Sequence, residues 1–113
     1  MSASRGDVWL VNFDPIQGHE QAGYRPALVL SVDSFNSSSS GLVTVLPLTS
    51  KRRSQIPSRV EVNPPEGGLT STSYIIGEQV RTISTSRLGR RLGVVAISTM
   101  TKVEDVVRIL LGL

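Results

Sequence analysis

Apolar residues in this chain come in short β-branched runs broken by glycine, proline and serine, and only the last stretch carries a helical period. That pattern constrains the fold more than any single motif. Val8 to Phe13 (VWLVNF) stops at Asp14-Pro15, a turn signal, and a polar, glycine-punctuated loop runs from Gln17 to Tyr24. Ala27 to Val32 (ALVLSV) and Leu42 to Leu48 (LVTVLPL) have the residue types that suit a buried, pleated surface. Between them, Asp33 to Gly41 contains four consecutive serines and reads as a flexible connection. Arg59 to Val62 (RVEV) alternates like a half-exposed strand, and Asn63 to Gly68 (NPPEGG) is a turn. Tyr74 to Ile83 (YIIGEQVRTI) reads as one further strand, with Gly77 marking a bulge or a close backbone approach. Short pieces at Leu88 and Val94 to Ile97 complete the sheet.

Parallel strands require long crossovers, usually helical. None stands between these runs, so the expected fold class is mainly β, a small barrel rather than a parallel sheet. The end of the chain differs. Met100, Val103, Val106, Val107, Leu110 and Leu111 fall at helical spacing, which predicts an amphipathic helix from Ser98 to Leu111 packed on the sheet. Ser98 is the expected N-cap, with Thr101 and Glu104 as an alternative capping box. The 113 residues are expected to form a single domain, 1-113. A domain this small buries a limited share of its surface, so a partner subunit would add stability.

Composition narrows the chemistry. The chain has no cysteine, which excludes disulfides, zinc–thiolate sites and thiol nucleophiles, and one histidine, His19, which excludes a site built from several imidazoles. No resident metal or cofactor is expected. The first residues contain no signal-like apolar run, and no stretch approaches the roughly 18 apolar residues of a membrane span. A soluble, cytoplasmic protein with no membrane partner is the expectation. Twelve basic residues against nine acidic ones give a net charge of +3. The cations are mostly arginine, whose planar fork matches phosphate, and they cluster at Lys51-Arg52-Arg53 and at Arg87, Arg90 and Arg91. These clusters suit a polyanion partner and equally suit solvated loops.

Three constellations can carry chemistry. In Gly18 to Pro26 (GHEQAGYRP), a loop bearing Glu20 closes on Arg25-Pro26. Pro26 biases Arg25 towards an extended backbone, so its guanidinium is aimed by the chain and can donate paired hydrogen bonds to a phosphate. An arginine–glutamate surface pair is the plainer use of the same residues. In Pro47-Leu48-Thr49-Ser50, two hydroxyls stand beside Lys51, Arg52 and Arg53, where they can bind phosphate oxygens or satisfy the local backbone. In Gly77 to Ile83 (GEQVRTI), Glu78, Gln79 and Arg81 interrupt an apolar strand, as a wet strand face would. His19 lies in a polar loop without an orienting partner, and Arg5-Gly6-Asp7 is read as a coincidental tripeptide.

Taken in order, these pieces resemble the MazF/PemK family of toxins from toxin–antitoxin pairs. The resemblance rests on Arg5-Gly6-Asp7-Val8-Trp9, Asp14-Pro15, Gly18 to Pro26 leading into Ala27 to Ser31, Pro47 to Ser50, Gly68-Leu69, and Glu78 to Ile83. It implies an SH3-like barrel forming a homodimer, a cognate antitoxin protein as partner, and sequence-specific, metal-independent cleavage of single-stranded RNA, mRNA in particular. It also implies a catalytic pair at Arg25 and Thr49. Glu20, Gln79 and Arg81 fall on matching positions as site support, and Ser50, Lys51 and Arg52 adjoin the pair as substrate contacts. One departure stands out: Thr72-Ser73 occupies a place where some relatives carry an Asp-Ser pair. The rival readings are a CcdB-like gyrase poison, whose terminal Trp-Gly-Ile pattern Leu110-Leu111-Gly112-Leu113 lacks, and a non-catalytic nucleic-acid-binding barrel.

Overall fold

The computed structural model of the chain describes residues 2–14, 23–53 and 55–113. Strands β1 (Asp7–Asn12), β2 (Tyr24–Val29), β3 (Leu42–Thr49), β4 (Arg59–Val62), β5 (Ser73–Ile76), β6 (Arg81–Ser84) and β7 (Leu88–Val94) form one antiparallel sheet, followed by helix α2 (Ile97–Leu111). A short helix α1 (Asp33–Asn36) and three 3-10 turns link the strands. The mainly β class with a C-terminal helix agrees with the sequence pattern. The strand order is β4-β5-β3-β2-β1-β7, with β6 also paired to β3.

Strand β3 organises the sheet. Its first half, Leu42 to Val45, pairs with β6, and its end, Leu48 and Thr49, pairs with β5 along the same edge. The stretch expected as one strand, Tyr74 to Ile83, is therefore two strands separated by the 3-10 turn Gly77–Gln79. Gly77 is the close approach that its position suggested. A Cβ there would lie 2.5 Å from Ser58 O and 2.6 Å from Val106 Cγ1.

The central strands are buried on both faces, which explains why their sequences are apolar runs rather than alternations. Val8, Leu28 and Leu46 face one cluster together with Ile75, Val103 and Val107. Trp9, Val11, Phe13, Ala27, Val29, Val43, Val45 and Ile83 face the other.

Several local expectations are corrected. The Asp33 to Gly41 connection begins with helix α1, held by the buried Asn36, whose Nδ2 donates to Ala3 O and Ser31 O at 3.0 Å. Strand β2 starts at Tyr24 and ends at Val29, short of Val32, which is exposed. Arg87, Arg90 and Arg91 belong to the end of a turn and to β7 rather than to an open basic loop. Arg87 Nη1 donates to the carbonyls of Asn12 and Asp14, and Arg91 Nε donates to Asp7 Oδ1 at 3.2 Å. Arg91 thus ties β7 to β1, and Arg87 ties the turn before β7 to the end of β1. Helix α2 begins one residue before Ser98 and has no side-chain cap of its own. Its first turn is held instead by Glu66, whose Oε2 accepts from Ala96 N at 2.9 Å and Thr99 Oγ1 at 2.5 Å. Glu104 pairs with Arg5 at 2.6 Å rather than closing a capping box. Leu110 and Leu111 are exposed, because α2 packs into the core through Val103 and Val107. Gly112, at φ +70°, ends the helix in a left-handed cap, with Leu113 N donating to Arg108 O at 2.9 Å.

Candidate functional site

The β2–β3 ladder runs through Val29↔Val45, Leu28↔Leu46 and Ala27↔Pro47, and stops there. Pro26 follows at once on β2, and Pro47 is the last residue of β3 that pairs with β2. Neither proline has an N–H to give a ladder. Continuing the register by two residues sets Arg25 across from Thr49, on the face shared with Ala27 and Pro47. The two residues therefore flank a place where adjacent strands no longer exchange backbone bonds. Arg25 is exposed and stays paired through its backbone to Val11 of β1. Thr49 is only 8% exposed, at the end of β3, and its Oγ1 accepts from Lys51 N at 3.2 Å.

The same face extends across β5 and β4. Thr49 stands opposite Tyr74, and Tyr74 opposite Glu61, so Thr49, Tyr74 and Glu61 form one cross-strand row. The segment after β3 folds over this face. It leaves a cleft of about 460 Å³ lined by Thr49, Lys51, Arg53, Ile56, Arg59, Glu78 and Gln79. A side chamber of about 200 Å³ shares Arg53, Ile56 and Arg59 with it and adds Arg52, Glu61 and Tyr74.

Charge in the cleft is partly neutralised from within. Arg59 donates from Nε and Nη2 to Glu78 Oε2 at 3.0 and 2.9 Å, and Ser58 Oγ donates to Oε1 at 2.6 Å. Burial pushes the Glu78 carboxyl up. The hydrogen bonds from Arg59 and Ser58, with the attraction of the Arg59 charge, outweigh it and hold the group below its ordinary value. The cleft thus keeps Lys51 and Arg53 as its exposed cations. Among the described residues, no group of three or more His, Cys, Asp or Glu is placed to hold a metal ion. No helix among them is long and apolar enough to cross a membrane.

Of the residues singled out in the sequence, Thr49, Lys51 and Gln79 line the cleft, Arg52 lines the side chamber, and Arg25 lies on the same face by register. Ser50 is exposed beside Thr49 and lines neither space. Arg81, on β6, lines neither space; its guanidinium carbon is 5.2 Å from the Phe13 ring centroid, and among the described residues its buried Nη1 has no hydrogen-bond partner. Glu20 and His19 fall outside the described residues. Sequence reasoning missed Arg59, Ile56 and Tyr74. The alternation of Arg59-Val60-Glu61-Val62 does put Arg59 and Glu61 on one face. It does not say that Tyr74 and the basic segment close over that face.

A small antiparallel sheet followed by a C-terminal helix is a fold this chain shares with a family of toxins. The profile described as "PemK-like, MazF-like toxin of type II toxin-antitoxin system" matches residues 4–111. The chain belongs to this family. It is 34% identical over 109 residues to a protein named Endoribonuclease MazF from Staphylococcus epidermidis, covering 96% of this chain and 91% of the relative. The crystal structure of MazF from Deinococcus radiodurans superposes with a TM-score of 0.86 at 30% identity, over 100% of this chain and 99% of that one. A mycobacterial endoribonuclease, solved with its cognate antitoxin, superposes with a TM-score of 0.77 at 26% identity, over 99% and 95% of the two chains.

Proposed function

We propose that this MazF-like toxin, an endoribonuclease, cuts single-stranded RNA sequence-specifically at the gap between β2 and β3, with Arg25 and Thr49 at the reacting phosphate. The observation that carries this reading is the register that sets these two side chains across from each other where Pro26 and Pro47 end the ladder. The ribose 2′-hydroxyl attacks the adjacent phosphorus in line. The P–O5′ bond breaks, leaving a 2′,3′-cyclic phosphate on one fragment and a 5′-hydroxyl on the other. Charge accumulates on the non-bridging oxygens, and a fixed guanidinium stabilises it without reorganisation. Arginine keeps its proton near neutral pH, so Arg25 serves by charge and hydrogen bonding ahead of any proton transfer. Thr49 Oγ1 already accepts from Lys51 N, which leaves the hydroxyl hydrogen to donate to a phosphate oxygen.

Ser50, Lys51, Arg52 and Gln79 are the substrate contacts around this pair, and Arg81 supports the site through its charge. Glu20 is carried as site support on its position in the sequence alone. No metal or cofactor takes part in this scheme, and DNA, lacking the 2′-hydroxyl, binds weakly or is held but not cut. Single strands are favoured because their bases can splay into pockets. mRNA in the cytoplasm is the target this reading favours.

The proposed assembly is a homodimer neutralised by a cognate antitoxin. A solved MazE–MazF complex from Deinococcus radiodurans supports the antitoxin; it is 30% identical, with a TM-score of 0.81 over 100% of this chain and 98% of that one. The test is end analysis of a single-stranded RNA pool treated with wild-type or Arg25→Ala protein in excess EDTA. Cyclic-phosphate and 5′-hydroxyl ends from the wild type alone are expected. Cleavage that needs magnesium, or an Arg25→Ala protein of near-normal activity, overturns the mechanism.

A further inference from the structure

The side chamber next to the cleft is lined by Arg52, Arg53, Ile56, Arg59, Glu61 and Tyr74. Its volume of about 200 Å³ suits one planar base, and it joins the main cleft through shared walls. Tyr74 is the cross-strand neighbour of Thr49, and Glu61 is the next residue along that row. At ~4.8 Å per strand, Glu61 stands roughly 10 Å from Thr49 across the sheet. That distance places an adjacent nucleotide of the same RNA within reach.

We propose that this chamber is a guanine-binding subsite that selects the nucleotide next to the cleavage site; the inference rests on the endoribonuclease reading of the cleft. Tyr74 is half-buried and offers a ring for stacking, which serves any base. Glu61 supplies the selectivity. Its Oε2 accepts from Asn63 Nδ2 at 3.1 Å, and each carboxylate oxygen has more than one acceptor site. The anchored carboxylate can therefore still take two parallel N–H donors. Guanine alone among the four bases presents two adjacent donors, N1–H and the N2 amine. Adenine and cytosine would set a ring-nitrogen lone pair against the carboxylate, and uracil flanks its one N–H with two carbonyls. Arg59 is committed to Glu78, which leaves Arg52 and Arg53 to donate to guanine O6 and N7, a favoured arginine contact.

The test is equilibrium binding of 2′-O-methyl oligouridylates carrying one guanine, inosine or adenine at each position in turn, which bind without being cut. Wild-type protein is expected to prefer guanine over adenine by about tenfold at one position, with inosine between because it lacks the N2 amine. Glu61→Gln should abolish the guanine preference. Tyr74→Leu should weaken binding of every base at that position by about tenfold, while Tyr74→Phe retains it. Circular dichroism checks that each variant is folded, and the two conservative variants, Glu61→Gln and Tyr74→Phe, carry the test if Tyr74→Leu is not. Equal binding of guanine and adenine at every position, or a preference unchanged in Glu61→Gln, overturns the subsite. Incubation with the matching unmodified RNA separates the two readings. Cut RNA without a guanine preference removes the subsite alone, and guanine-selective binding of RNA that stays intact removes the cleavage reading alone.

Discussion

Gly77 and Ser58 meet backbone to backbone: Gly77 N donates to Ser58 O at 3.1 Å, and a Cβ on Gly77 would stand 2.5 Å from that same oxygen. This contact ends β5, turns the chain through Gly77–Gln79, and brings Glu78 beside Arg59 and Gln79 to the cleft wall. It also seats Val106 of α2 against the turn.

Gly77→Ala is therefore expected to destabilise the protein by about 1–3 kcal/mol, the usual cost of forcing atoms into a packed interior. Ser58 O is backbone and cannot swing aside as a side chain would. Urea denaturation followed by circular dichroism measures the change. A midpoint equal to that of the wild type would show that the turn moves freely and does not hold the cleft wall.

The apolar runs identified β1 and β3 to within a residue, because a strand buried on both faces needs an unbroken set of apolar side chains. The start of α2 was also legible within a residue, but its cap was not. Glu66 reaches Ala96 and Thr99 from a turn thirty or more positions away, and local spacing holds no trace of such a partner. The split between β5 and β6 was hidden for a related reason. Tyr74 to Ile83 has strand-forming residues on both sides of Gly77, and only the approach of Ser58 and Val106 makes the glycine a break. At the site, Thr49, Lys51 and Gln79 could be named from their motifs. Tyr74 and Arg59 could not, since their importance comes from pairing across strands rather than from their neighbours in the chain.

Glu78 provides a pH-dependent test. Its carboxyl is held below its ordinary value of 4.5 in the folded protein, so the charged form is favoured by folding. That stabilisation is present at neutral pH and down to the unfolded value, and is lost as the pH falls through the lower folded value. The pair is partly exposed and is worth at most about 1 kcal/mol. Wild-type protein should exceed Glu78→Gln in thermal stability by a constant small margin from pH 7 to about pH 5, and the margin should vanish in stronger acid. A margin that grows below pH 4.5 would have the wrong sign for the Arg59 contact.

Thr49→Val preserves shape and removes the hydroxyl. It should lower the cleavage rate by about 10²–10³ with little change in RNA affinity, the pattern of a donor used in the transition state. Lys51 N loses its acceptor in that variant, so Thr49→Ser is the necessary companion. Serine restores both the acceptor and the donor, and single-turnover kinetics should return to within about tenfold of wild type. Equal losses in the two variants would trace the defect to packing at the end of β3, not to the hydroxyl.

Arg52 and Arg53 are exposed just after β3; Arg52 lines the chamber, and Arg53 lines both the chamber and the cleft beside Thr49. On a uridine strand, which offers the chamber no guanine, both are left to neutralise phosphates, and each should contribute about 0.7 to the slope of log affinity against log salt. The Arg52→Ala/Arg53→Ala protein is then expected to bind a uridine oligonucleotide more weakly than wild type, with a slope shallower by about 1.4. Arg87 and Arg91, bonded to strand carbonyls and to Asp7, give the contrast. Their removal should loosen the β1–β7 contact and lower thermal stability while leaving the salt slope intact. A slope that changes on removing Arg87 and Arg91 but not Arg52 and Arg53 would move the RNA path from the Thr49 face to β7, because only cations beside the strand release its counterions.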